Sequence, residues 1–124
     1  MWELNKTEMN IKLNLLKENK VISETAYSIT NNTFDFLVDK YKQHELSDSD
    51  MFWTHMSMAL TRIEKHEPVE GPPEVIVQEI RQSPYKNEIE EVILFVSSKL
   101  GQEIPKEEQD YFYMHLHRVI DNNK

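Results

Sequence analysis

The stretch Ile89-Glu-Glu-Val92-Ile93-Leu-Phe-Val96-Ser-Ser-Lys-Leu100-Gly101 decides the fold class. Its residues Ile89, Val92, Ile93, Val96 and Leu100 recur every three or four positions, which is the spacing of one face of an α-helix and not the alternation of a strand. Gly101 then offers the left-handed conformation that commonly ends a helix. Outward from this element, Pro105 suits the first turn of a last helix burying Phe112, Leu116, Val119 and Ile120. On the other side, a short helix is expected after Pro73, with Val75, Ile76 and Ile80 inward. Before it, Ser47 and Asp48 offer cap oxygens to a helix that carries Phe52, Met56, Ala59, Leu60 and Ile63 on one face and ends near His66, before Pro68. A longer helix over about 23–44 follows from Ile22, Ala26, Ile29, Thr33, Phe36, Leu37 and Tyr41. The weak helix formers Asn31-Asn32-Thr33 mark where it can bend. Residues 7–19 add one more pattern through Met9, Leu13 and Leu16. Two glycines and five prolines leave few tight turns for a hairpin-rich sheet, so the expectation is an all-α bundle.

Composition narrows the functions this bundle can serve. The 124 residues hold 22 acidic and 14 basic side chains, a formal charge of −8, with 39% apolar residues and a mean hydropathy of −0.65. That is enough apolar material for one core beneath a heavily solvated surface. Residues 1–20 hold four Lys and three Glu, so the remainder carries −9 and presents no basic stripe for a phosphate backbone. Direct binding of nucleic acid is therefore not expected. Zero cysteines exclude a disulfide scaffold, a thiolate metal site and a cysteine nucleophile, and make a reducing cytoplasm the expected compartment. No apolar run approaches the ~20 residues that cross a bilayer, and no membrane association is expected.

The chemistry rests with five histidines: His44, His55, His66, His115 and His117. At 100° per residue from Phe52, the core of its helix spans about −20° to +80°, while His55 lies near −60° and Arg62 near −80°. From Phe112 the last helix repeats the arrangement, with His115 near −60° beside Glu108, Tyr111 and Arg118. Two histidines on different helices thus occupy equivalent edges of the core, each flanked by an arginine. His115 and His117 diverge by about 200° and cannot share one metal ion. A joint zinc site for His55 and His115 finds only Glu108 as a further ligand on the right stripe, short of the usual four. Ser57 and Thr61 fall on the side of the helix opposite His55, expected to face solvent, so no hydrolase triad assembles. Met51, Met58 and Trp53 fall outside the core stripe, where an interface would use them.

Two stretches carry a family resemblance. Met51-Phe-Trp-Thr-His55-Met-Ser-Met-Ala-Leu-Thr-Arg62 resembles the first histidine motif of the phosphotransferase-system regulation domain (PRD), in which an arginine follows a histidine by seven residues. Leu100-Gly-Gln-Glu-Ile-Pro105-Lys-Glu-Glu108-Gln-Asp-Tyr-Phe-Tyr-Met-His115 is similar to the second, with Leu-Gly, Ile-Pro, a Glu three residues after the proline and a His ten after it. The resemblance spans roughly residues 22–121 and implies a five-helix PRD-type bundle over 22–124, to which the segment 1–21 can add an N-terminal helix. It further implies a homodimer, transcription regulation without catalysis, and phosphorylation of His55 and His115 by HPr or an enzyme II component of the sugar phosphotransferase system. Arg62, and Arg118 by its helical phase, become the phosphate-neighbouring cations, with no metal and no cofactor. Thr54 stands where the family usually has Asp, and Gly71-Pro72 where Asn-Pro is common. Most relatives carry two copies beside a nucleic-acid-binding module; this chain reads as a stand-alone single copy. Two other readings are a degenerate PRD serving only as a dimerisation scaffold and a metal-dependent helical-bundle enzyme.

Overall fold

A computed structural model describes residues 3–42, 45–47 and 49–123 of the chain. Six helices form the bundle: α1 (Lys6–Glu18), α2 (Glu24–Tyr41), α3 (Asp50–Glu64), α4 (Glu74–Ile80), α5 (Lys86–Leu100) and α6 (Lys106–Asn123). The N-terminal segment is helical as its spacing predicts, and Met9 and Leu13 of α1 are buried in the common core against α2 and α3. Two three-residue strands, β1 (Glu3–Asn5) and β2 (Glu45–Ser47), pair antiparallel with Leu4 opposite Leu46. This ribbon, absent from the sequence expectation, ties the start of the chain to the turn before α3, and β2 lies against α6.

Local chemistry explains where the helices begin and stop. Ser23 caps α2 by accepting from the Ala26 amide, and its hydroxyl donates to Glu64 at the far end of α3. α2 runs unbroken through Asn31-Asn32-Thr33, and the side chains of Asn31 and Thr33 donate to the Tyr27 and Ile29 carbonyls one turn back within the helix. It ends at Tyr41 with Lys42 in the left-handed region. Gly101 closes α5 at φ 79° and donates its amide to Ser97. For α3 the expected cap is corrected: Ser49 precedes the helix, and its hydroxyl accepts from Trp53 Nε1 at 2.9 Å instead of capping an amide. Ser47 belongs to β2, and Asp48 lies outside the described residues.

α3 is covered on three sides, in contact with α1, α2 and α6. That position overturns two expectations. Ser57 and Thr61 do not face solvent; both are buried, their hydroxyls bonded to the carbonyls of Thr54 and Ser57, which lets small polar side chains sit under a neighbouring helix. Trp53 is 1% exposed, packed on Phe34 and Phe52 at ring centroid distances of 5.2 and 4.7 Å, and is no interface residue. In α2 it is Phe34 that is fully buried, while Phe36 stacks on Phe95 of α5 nearer the surface. In α4 the inward residue is Val77; Val75 and Ile76 are exposed, the helix being clamped onto α6 by Arg81, which donates to Asp110 at 2.7 Å.

Candidate functional site

The two edges singled out by helical phase meet face to face. His55 of α3 and His115 of α6 lie together, Nδ1 of His55 3.5 Å from Nε2 of His115, the rings edge-on at 68°. Seven residues further along α3, Arg62 meets Glu108, which lies seven residues back along α6. The opposite sense of the two steps shows that α3 and α6 run antiparallel along this seam. Seven residues rise about 10 Å, so the imidazole pair and the ion pair mark its two ends.

Between them opens a cleft of about 410 Å³, floored by Phe52, Met56, Ala59 and Phe112. Met58 and Val69 form part of its wall, and Tyr111 holds the rim by donating to the Glu70 carbonyl at 2.8 Å. Met58 therefore borders the site, while Met51 is exposed at the start of α3. Val69 had no signal in the sequence, since it comes from the proline-rich connection and has no helical phase to read.

The two histidines sit in different surroundings. His55 is exposed; His115 is half-buried, with the Phe52 ring 5.9 Å away, centre to centre. Burial lowers the His115 pKa below the ordinary imidazole value, and the charges of His55 and Arg118 push in the same direction. His115 is thus kept as a neutral ring with a lone pair, the form in which imidazole is a nucleophile. The Arg62 guanidinium forks onto buried Glu108 through Nε at 3.3 Å and Nη2 at 3.2 Å. Arg62 lines the cleft but is already engaged, whereas Arg118 is exposed on α6.

The remaining histidines are placed elsewhere. His117 points away from His115, its Nδ1 2.7 Å from the Ser83 hydroxyl and its ring against Tyr85. His66 is exposed with φ 57° in the turn after α3, and His44 lies outside the described residues. Among the described residues no three His, Asp or Glu side chains are grouped to hold a metal ion, and no helix is long and apolar enough to cross a membrane.

The structure is thus a helical bundle with a histidine from each of two antiparallel helices at the mouth of an apolar cleft. Residues 47–119, more than half of the chain, match the PRD domain family, and the chain belongs to that family. PRD domains are regulatory modules of the phosphotransferase system, controlled by phosphorylation. The matched span runs from the start of α3 into α6 and so contains both histidine motifs. Neither a curated protein nor a solved structure gives a match.

Proposed function

We propose that the protein is a phosphorylation-responsive regulator of the sugar phosphotransferase system, in which His55 and His115 accept phosphoryl groups from HPr or an enzyme II component and so alter dimer or partner contacts. The observation that carries this reading is the convergence of the two motif histidines on one accessible cleft edge, 3.5 Å apart. In the transfer, the imidazole lone pair attacks the phosphorus of a donor phosphohistidine. The donor's P–N bond breaks, its electron pair returns to the donor ring, and the acceptor keeps its proton on the other nitrogen. The product adds up to about two negative charges and three acceptor oxygens. Arg118 is suited to meet them. With phosphoenolpyruvate, enzyme I and HPr, the wild type is expected to gain acid-labile phosphate, and replacing both histidines by alanine abolishes it. An unlabelled wild type under those conditions defeats the acceptor role.

One observation favours the scaffold reading as an alternative: Arg62, the family's cation beside the first histidine, is held by Glu108. A scaffold keeps its oligomeric mass when His55 and His115 are replaced and shows no response to the donor proteins.

A further inference from the structure

Two acceptors on separate surfaces would each take a phosphoryl group independently. Here Nδ1 of His55 and Nε2 of His115 face one another, so a group added to either nitrogen occupies the space in front of the other. The helices beneath are held together by Phe52, Met56, Phe112 and Leu116, all buried, which keeps the attachment points of the two rings from parting. Charge argues in the same direction. Arg118 lies close enough for its charge to act on His115, whereas Arg62 is already engaged by Glu108, whose carboxylate belongs to the same cleft. A second phosphoryl dianion would confront the first across the same gap. A lone one can instead accept an N–H from the unmodified ring.

Resting on the reading of these histidines as acceptors, we infer that His55 and His115 constitute one phosphoryl site, which holds a single group on either ring and never one on each. The phosphorylated states of the chain are then two, not three. The module counts a phosphoryl group as present or absent, and the unmodified histidine serves as its hydrogen-bond donor.

Potassium phosphoramidate tests this without any protein donor. The imidazole lone pair forms the new P–N bond while the reagent, protonated on nitrogen in water, loses ammonia with the electron pair of the old one. In a parent chain carrying His44→Gln, His66→Gln and His117→Gln, only His55 and His115 remain. Intact mass at alkaline pH is expected to reach one equivalent at saturation, and the parent with His55→Gln or His115→Gln added is also expected to reach one. The same parent in urea takes two, since unfolding separates the rings. Two equivalents on the folded parent overturn the inference, as does one equivalent in urea or a folded single-histidine chain that takes none. If either single-histidine chain fails to fold by circular dichroism, the folded-against-urea comparison on the parent decides. Failure of HPr-dependent labelling while phosphoramidate loads one equivalent removes the proposed donor and leaves exclusive occupancy standing.

Discussion

The Glu108 side chain is 2% exposed, whereas the Arg62 side chain that holds it is 34% exposed, and this asymmetry decides which half of the pair is harder to lose. Removing Arg62 leaves a carboxylate inside the α3–α6 seam with nothing to neutralise it; removing the charge of Glu108 leaves an arginine that can reach water. Arg62→Ala is therefore expected to cost about 3 kcal/mol, near the lower end for breaking a buried pair because this one is partly solvated. Glu108→Gln should cost about 1 kcal/mol. Urea midpoints at constant slope measure both, and equal losses would contradict the argument. At the other end of the seam, the lowered His115 pKa gives a pH dependence of known sign. Between its folded value and the unfolded value near 6.5, the unfolded chain binds more protons, so stability is complete above that range and falls as pH falls through it. His115→Gln should flatten the slope of the unfolding midpoint in the range just below the ordinary imidazole value of about 6.5, relative to wild type. An unchanged slope would show that the folded ring titrates normally.

At the scale of whole elements, the α5–α6 connection turns on one backbone conformation. Gly101 sits at φ 79°, and a Cβ added there meets nothing within 4 Å. Gly101→Ala is thus expected to cost about 1 kcal/mol through backbone strain alone, with phosphorylation unaffected. A larger loss in thermal unfolding would mean a steric clash that the open space does not contain. This turn was plain in the sequence because the stripe from Ile89 to Leu100 is buried along one face and ends at a glycine. α3 was harder to read for the opposite reason. A helix covered on several sides keeps only a narrow outward stripe, through Met51, His55, Met58 and Arg62, and so Ser57, Thr61 and Trp53 lay outside a core arc drawn for a surface helix. In α4, seven residues make two turns, too few for phase to choose Val77 over Val75 and Ile76. The three-residue strands are shorter than any period that could announce them. At the site, helical phase put His55 and His115 on matching edges. That the edges meet required the antiparallel approach of α3 and α6, which depends on residues sixty positions apart.

For the molecule as a whole, acidity becomes part of the proposed switch. Each chain carries −8, so the proposed dimer carries −16 before any modification. One phosphoryl group per chain takes that toward about −20. The added charge enters at the α3–α6 cleft edge, beside exposed His55 and partly buried Met58, which an associating surface would cover. Repulsion between exposed charges is long-ranged at low salt and confined to about 8 Å at 0.15 M ionic strength. Phosphorylation is accordingly expected to weaken self-association several-fold at 20 mM salt and much less at 0.5 M, read by sedimentation velocity over a concentration series. Arg118→Ala should enlarge the low-salt effect, because it removes a cation placed to offset the new group. A phosphorylated chain that associates equally at both salts, or more tightly in the Arg118→Ala variant, would mean that the phosphoryl group acts by contact within the cleft and not through the field of the dimer.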